Sequence, residues 1–279
     1  MSFSAQWLAL REPYDMRARN VAVLDALAAA FRDRESIAIV DLACGAGASL
    51  RALAPRLPPR LSWRLGDNDL GILARTPALA APPRITVQAR AIDLARDLEL
   101  ALDGPLDLIT CSALLDLLSA DELDRLVRSC ASARCPVLIT LTVTGAVRLS
   151  PRHPLDELVA AAFNGHQRRT TGGRRLLGPD AADTARRMFT ELGCDVVGHA
   201  SPWRLGPARR QLTYAWFAGW LAAACEQDSH LATATRSYAR VRLAGASAGR
   251  LQALVQHRDL LVRSPRRPGQ PDADRPRTR

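Results

Sequence analysis

The stretch Ile37-Ala-Ile-Val-Asp-Leu-Ala-Cys-Gly-Ala-Gly-Ala-Ser-Leu-Arg51 decides the fold of this chain. Its first four residues are uninterrupted apolar side chains, which is typical of a strand buried in a parallel sheet. Asp41 follows at the carboxyl end of that strand, and Gly45 and Gly47 then predict a tight turn into a helix. Glycines let a backbone approach a ligand closely, and a helix N-terminus supplies unsatisfied N–H groups. The stretch therefore predicts the opening of a nucleotide-type site.

The glycine spacing distinguishes between two kinds of nucleotide-type site. A pyrophosphate-binding turn has the pattern G-x-G-x-x-G, and Arg51 stands here where its third glycine would be. The pattern Asp41-x-Ala43-Cys-Gly45-x-Gly47 instead resembles the first motif of class I S-adenosylmethionine (SAM)-dependent methyltransferases. Ala43 occupies the place of that family's first glycine. The alternative for so short a motif is an ordinary strand–turn–helix junction.

The rest of the chain alternates between predicted strands and helices, which is typical of a parallel sheet covered on both faces. Further strands are predicted at 61–65, 84–89, 106–111, 136–143, 194–198 and 257–263. Helical patterns lie at 70–79, 119–130, 155–163, 180–192 and 212–224, with a further helical stretch to about residue 242. The family resemblance implies an α/β, Rossmann-like, doubly wound sheet of seven strands. Its implied order is 3-2-1-4-5-7-6, mostly parallel, with the seventh strand antiparallel.

The same patterns divide the chain into three parts. Residues 1–36 are expected to form an N-terminal helical lid, and residues 37–263 a SAM-binding methyltransferase domain. Within that domain, 145–179 and 205–255 are predicted insertions that form the substrate side. Residues 264–279 are rich in Pro, Asp and Arg without apolar periodicity, so a disordered tail is expected.

Acidic residues follow the second and third predicted strands. A carboxylate about 20 residues after a glycine turn can accept both ribose hydroxyls of an adenosine ligand, which favours Asp67, with Asn68 beside it. The resemblance implies that Asp93 meets the adenine amino group and that the N–H of Leu94 meets a ring nitrogen. The alternative for these acids is that they cap the helices that follow them.

Two further segments are expected at the cofactor. Ligands of doubly wound sheets bind between the first and fourth strands, so Cys111 and Ser112 are expected to face the methionine part of SAM. In the N-terminal segment, Tyr14 could cover the sulfonium, because an aromatic face attracts a cation. Arg11 or Arg19 could pair with the methionine carboxylate. The alternative is that this segment is a solvated amphipathic helix.

The candidates for the acceptor side are fewer. His166 titrates near neutrality and is the best-placed base by sequence, although a solvated histidine at a helix end is the plainer interpretation. Asp116 could be a weak acceptor for the substrate or an ordinary surface carboxylate. The aromatic side chains at helical spacing are more typical of core than of a pocket; they are Trp203, Tyr214, Trp216, Phe217 and Trp220.

The amino-acid composition indicates which partners of the protein are expected. The net charge is +10, but every basic residue among the 38 is Arg, which is typical of coding bias and weakens a nucleic-acid interpretation. The six cysteines are scattered without a C-x-x-C pair, so neither a zinc site nor a disulfide framework is predicted, and no other metal is implied. No apolar run reaches membrane-spanning length, and a cytoplasmic protein is expected.

The resemblance implies methyl transfer from SAM to an O, N or C atom of a small-molecule acceptor. Two alternatives stay open at this point, an RNA (tRNA) methyltransferase and a protein that binds SAM without turnover. A nicotinamide oxidoreductase would need the pyrophosphate turn that Arg51 interrupts.

Overall fold

A computed structural model describes residues 4–74 and 84–264 of the chain. The predicted helix 70–79 is described only as far as residue 74, where it is one short turn, and its second half lies outside the described residues. The predicted tail also lies outside them, apart from Ser264.

Ten strands are present in the described chain, and eight of them form one sheet. Their bounds are β1 Ser36–Leu42, β2 Arg60–Asp67, β3 Ile85–Ala91, β4 Leu108–Ser112, β5 Val137–Ser150, β6 Thr170–Thr171, β7 Arg174–Arg175, β8 Asp195–Ala200, β9 Trp203–Leu205 and β10 Gln252–Arg263. The sheet runs β3-β2-β1-β4-β5-β10-β8. When the short β9 at the margin is left aside, β8 and β10 are the sixth and seventh strands of the sheet in chain order. The implied order 3-2-1-4-5-7-6 is therefore confirmed.

The directions of the strands also agree with the expectation. Strands β1 to β5 pair in parallel, and β10 is antiparallel to both β5 and β8. The difference is an eighth strand, the short β9, which pairs with residues 253–255 of β10. Strand β9 has a partner because β5 and β10 both extend beyond the strands predicted at 136–143 and 257–263. In the outer half of β10, residues 252–257, alternate side chains are buried. Residues 252–256 of β10 lie outside the strand predicted at 257–263, so the sequence interpretation missed this part of the strand.

Eleven α-helices in the described residues surround the sheet. Their bounds are α1 Ala5–Ala18, α2 Val21–Ala30, α3 Ala48–Leu53, α4 Leu70–Leu73, α5 Leu94–Leu102, α6 Ala120–Ser132, α7 Leu155–Gln167, α8 Ala181–Glu191, α9 Arg210–Gln227, α10 Ser229–Ala234 and α11 Arg236–Ser247. A capping box begins α6, where Ser119 and Glu122 each accept a hydrogen bond from the backbone N–H of the other. No helix in the described ranges combines the length and apolarity needed to cross a bilayer.

Three apolar clusters hold the sheet and the helices together. Two lie on the two faces of the sheet, and the third joins the outer halves of β5 and β10 to α1, α7, α9 and α11. The third contains Trp203, Trp216, Phe217 and Trp220, so the core interpretation of these aromatic residues is confirmed. Tyr214 differs, because its side chain lies at the surface.

Candidate functional site

The glycine turn lies at the carboxyl edge of the sheet and is tied to the end of β2. Gly45 (φ +53°) and Gly47 (φ +76°) have left-handed backbones, and Gly47 caps α3. The Gly45 N–H donates to Asp67 Oδ2 at 2.8 Å, and the Asp69 N–H donates to Asp67 Oδ1 at 2.9 Å. Ala43 also has a positive φ of 52°, a conformation in which glycine is unstrained and alanine is not. The turn therefore keeps the geometry of a glycine-rich motif despite the alanine.

Asp41 ends β1 directly beneath this turn. Its side chain is fully buried, and neither carboxylate oxygen has a hydrogen-bond partner of good geometry, although the Ser49 hydroxyl lies near it. Burial, with a smaller contribution from Asp67, raises the pKa of Asp41 to about 8 against the opposing effects of Arg19 and Ser49. Asp41 is therefore a carboxyl group that exchanges its proton near neutral pH in this structure.

Arg19 brings a cation to the same place from the N-terminal segment. Its side chain is buried between the start of α3 and the end of β4, where Nη2 donates to Ser49 Oγ at 3.3 Å and to Ser112 Oγ at 3.4 Å. Its Nε and Nη1 are also buried and have no partner among the described residues. Burial lowers the pKa of Arg19, and Asp15, Asp259 and Asp41 oppose that change. These unsatisfied N–H groups can receive an anionic oxygen.

Helix α1 covers the glycine turn from above. A Cβ placed on Gly45 would lie 3.7 Å from Leu8 Cδ1. Glu12 forms two hydrogen bonds with Arg51, at 2.5 and 2.7 Å. The arginine that replaces a third glycine therefore anchors α1. Another face of α1 lines a surface cavity of about 650 Å³ with Trp7 and with residues of α9 and α11, away from the glycine turn.

The structure gives Tyr14 and Arg11 other contacts than the expected ones. Tyr14 is buried in the third cluster, and the Arg209 guanidinium lies 5.4 Å from the centre of its ring. Arg11 is bound by Asp15 at 2.8 Å and lies over the Trp203 ring. Because Tyr14 and Arg11 lie on a different face of α1 from Leu8 and Glu12, the glycine turn is covered by an aliphatic side chain rather than by Tyr14. Of the two predicted arginines, Arg19 is the one at the turn.

At the ends of β2 and β3, the acids take capping positions. Asp69 caps α4 by accepting from the Ile72 N–H at 3.0 Å, and Asn68 is exposed. Asp93 caps α5 by accepting from the Ala95 N–H at 3.0 Å, and Leu94 is the first residue of that helix. The capping geometry leaves the half-exposed Asp93 carboxylate within reach of an additional donor, so its role at adenine stays a prediction.

The last two side chains of β4, those of Cys111 and Ser112, point to opposite faces of the sheet. The Cys111 side chain is buried in the apolar core together with Leu42 and Ile109, and burial raises the pKa of its thiol. Only the backbone of Cys111 can therefore face the carboxyl edge, and its expected place at the methionine part of SAM stays a prediction. Ser112 points the other way, toward Arg19, because successive side chains of a strand alternate between its faces.

His166 has a partner of its own. Its Nε2 lies 3.0 Å from Glu226 Oε2 at the end of α9, and Arg169 lies beside its other nitrogen. No described hydrogen bond joins His166 to the residues around the glycine turn. Its assignment as the base stays a prediction.

Sequence reasoning missed Asp259, which organises the same edge. Its buried carboxylate accepts from the Leu141 N–H at 2.8 Å, the Asn20 N–H at 2.7 Å and the Ser201 hydroxyl at 2.6 Å. Asp259 thereby connects β10 to β5 and to the start of α2, just after Arg19. The signal was an acid inside the strand predicted at 257–263, next to Leu260 and Leu261, since an acid that is buried must be paired.

His257, two residues earlier, was also missed. Its ring is buried against Trp203, with 5.2 Å between ring centres, and it lies beside the Val255 carbonyl. Burial, with a smaller contribution from Arg11, lowers its pKa to about 3, so the imidazole is neutral. Within the described ranges, no three His, Cys, Asp or Glu side chains are placed to bind a metal ion.

Comparison with known proteins agrees with this geometry. Residues 39–136 match the family model described as a methyltransferase domain, a range that extends from β1 to the start of β5. No curated protein sequence matches the chain.

Several solved structures are similar at low identity. The cyclopropane synthase MmaA2 from Mycobacterium tuberculosis is 12% identical, covers 88% of this chain and 84% of its own, and has a TM-score of 0.49. YcgJ from Bacillus subtilis is 12% identical, with coverages of 88% and 99% and a TM-score of 0.48. An O-methyltransferase family protein from Burkholderia thailandensis is 17% identical, with coverages of 93% and 58% and a TM-score of 0.48. Likeness of this size says nothing about activity or acceptor. Residues 39–136 therefore match a methyltransferase domain, and the strand order of the sheet is that of the class I fold.

Proposed function

We propose that this protein transfers a methyl group from SAM to a small-molecule acceptor at the carboxyl edge of the sheet. The observation that carries the proposal is Arg19, whose Nε and Nη1 are buried without partners beside the glycine turn and Ser112. A buried guanidinium with unmet donors is costly unless a ligand satisfies it. The α-carboxylate of SAM has the charge and the two oxygens that such a group binds.

We expect Asp67 and Asp93, at the same carboxyl edge of the sheet, to bind the adenosine part of SAM. Asp67 is held in one orientation by the N–H groups of Gly45 and Asp69. Each of its oxygens retains a lone pair that can accept from a ribose hydroxyl. Asp93, at the end of β3, is the candidate for the adenine amino group. When bound, SAM supplies an electrophilic methyl group on a positively charged sulfur.

Helix α1 contributes by excluding water from this edge. Leu8 lies over Gly45, and Glu12 holds Arg51 on α3. A closed edge strengthens the electrostatic interactions inside it, and positioning of the two reactants supplies much of the rate of a one-step transfer. Because α1 lies against the turn, we expect ligand entry to require its displacement.

Calorimetry with two related ligands tests the role of Arg19. S-adenosylhomocysteine carries the amino-acid carboxylate, and 5′-methylthioadenosine lacks it. Arg19→Gln should weaken S-adenosylhomocysteine binding by about 10- to 100-fold, the usual effect of losing a charge-assisted hydrogen bond, and change methylthioadenosine binding little. Arg17→Gln, at an exposed position of the same helix, is the matched control.

The outcomes separate the parts of the proposal. Equal losses for both ligands would show that Arg19 maintains the fold of the edge and does not recognise the carboxylate. If the wild-type protein binds neither ligand, or binds NAD more tightly than S-adenosylhomocysteine, the proposed function is wrong.

A further inference from the structure

Asp116 lies on the acceptor side of the same edge. It belongs to the short 3-10 helix Leu115–Leu117, which follows β4 immediately after Ser112 and Ala113. Ser112 is bound to Arg19 at the proposed cofactor site, and Arg11 of α1 is close enough to influence the Asp116 carboxyl group. Asp116 therefore lies between the end of β4 and the helix that covers the edge.

Asp116 has, like Asp41, a buried carboxyl oxygen without a hydrogen-bond partner in the described chain, which distinguishes it from the other acids around it. Its Oδ1 is buried and has no partner among the described residues. By contrast, the carboxylates of Asp15, Asp67 and Asp259 all accept hydrogen bonds from neighbouring groups. Burial raises the pKa of Asp116 to about 6, while its own N–H and Arg11 favour the charged form. At neutral pH the carboxylate is thus present and is a stronger base than an exposed aspartate.

Several charged groups on the elements around this 3-10 helix are already paired. They form the pairs Arg11–Asp15, Arg174–Glu122, Arg168–Asp180 and Arg258–Asp183. His166 is held by Glu226 on α9. None of these groups is left to neutralise Asp116 directly, which leaves its oxygen available to a donor that the described chain does not supply.

We propose that Asp116 contacts the methyl acceptor and takes its proton, and that the acceptor presents an N–H or O–H group. This rests on the proposed function and replaces His166 as the base. The lone pair of the acceptor atom forms the bond to the methyl carbon as the sulfur–carbon bond breaks. The electrons of that bond stay on the sulfur, which becomes neutral, and the acceptor's proton moves to the Asp116 carboxylate.

A panel of simple acceptors tests the assignment. Benzylamine, catechol, benzoate and thiophenol are offered with SAM, and S-adenosylhomocysteine release is measured from pH 5 to 9. Benzylamine or catechol should be methylated, and benzoate should not. Benzylamine and catechol lose a proton themselves at about pH 9, so the contribution of Asp116 is measured below about pH 7, where wild-type kcat/KM should rise more steeply with pH than that of Asp116→Asn. The kcat of Asp116→Asn should be lower by about 10²- to 10⁴-fold. Asp116→Glu should recover part of the activity, and Asp124→Asn, in an exposed pair with Arg128, should behave as wild type.

Measuring the binding of S-adenosylhomocysteine separates a loss of catalysis from a loss of folding or of cofactor binding. Asp116→Asn should bind it within about twofold of wild type, which also shows that the variant is folded. If the protein binds S-adenosylhomocysteine but methylates neither benzylamine nor catechol, the acceptor assignment is wrong. A kcat/KM profile of Asp116→Asn that rises as steeply as that of wild type below about pH 7 would overturn the role of Asp116. Failure of the wild type to bind S-adenosylhomocysteine would instead overturn the proposed function.

Discussion

At the scale of single residues, the carboxyl edge consists of charged groups buried close together. Asp41 is the extreme case, since it has no exposed surface and no well-placed hydrogen-bond donor. Such a carboxyl group is costly in its charged form and tolerable in its protonated form. The charge of Arg19 offsets only part of this cost, because its Nη2 donates to Ser49 and Ser112 and not to Asp41.

Asp41 should make the stability of the ligand-free protein depend on pH. Its pKa is about 8 in the folded state and near 3.8 in the unfolded chain. The folded state therefore holds the proton more tightly, and this stabilisation is complete below pH 4 and lost as the pH rises through 8. The free energy of unfolding of wild type relative to Asp41→Asn should fall by at least about 1 kcal/mol between pH 5 and 8.

Urea denaturation of both proteins across that range measures this difference, with Asp124→Asn as the exposed control. A difference that does not change with pH would mean that Asp41 is ionised throughout the range.

At the scale of elements, α1 is the piece that can open the site. It contacts α3 and β9, and its polar contacts with α3 are confined to the Glu12–Arg51 pair and the nearby Arg19. Over the glycine turn, α1 is therefore held by few polar contacts, whereas its other face is packed into the third cluster through Tyr14. A contact surface of this kind opens more readily than a packed core. This is consistent with the expected lid, although α1 covers the turn with other residues than expected.

Limited proteolysis tests the movement of α1. Trypsin should cut after Arg11 or Arg17 more slowly when S-adenosylhomocysteine is bound. Glu12→Gln removes one partner of a half-buried pair worth about 0.5–1 kcal/mol, so its cleavage without ligand should be about two- to fivefold faster.

The control for this experiment is Asp25→Asn, which breaks an exposed pair with Arg56 elsewhere in the N-terminal segment. Cleavage that is equally fast with and without ligand would show that α1 does not act as a lid.

At the scale of the whole molecule, the third apolar cluster joins the helices of the predicted insertions to the outer halves of β5 and β10. One buried polar network connects these parts. Asp156 on α7 accepts from Arg242 on α11 at 2.6 and 2.8 Å and from the Tyr238 hydroxyl at 2.8 Å. Arg242 also donates to the Pro151 carbonyl, just after β5. The network therefore sets how α7 and α11 sit on the extended strands.

Asp156→Ala should destabilise the protein strongly, because it leaves the Arg242 charge buried without its partner. We expect a loss of about 3–5 kcal/mol in the free energy of unfolding. The double variant Asp156→Ala with Arg242→Met should recover part of that loss, since it removes the buried charge as well.

Urea denaturation measures both variants. Asp124→Ala, which breaks an exposed pair, should cost less than about 1 kcal/mol. An equally small loss for Asp156→Ala would show that Arg242 finds water or another acceptor.

Much of the fold could be predicted from the sequence, because the relevant signals are local. The apolar run before Asp41, the glycine turn and the alternation of strands and helices are properties of short segments, and parallel βαβ connections allow few sheet orders. The placement of Asp67 beside Gly45 follows from the same rule, since the carboxyl ends of neighbouring parallel strands meet at one edge.

Only the tertiary structure decided which side chains of these segments reach the site. Arg19 rather than Tyr14 lies at the glycine turn because α1 packs Tyr14 into the aromatic cluster. Ser112 rather than Cys111 faces the edge because the core covers the other side of β4. Asp259 arrives from the far end of the chain through the pairing of β10 with β5. These choices depend on contacts between segments distant in sequence, and no periodicity within one segment contains them.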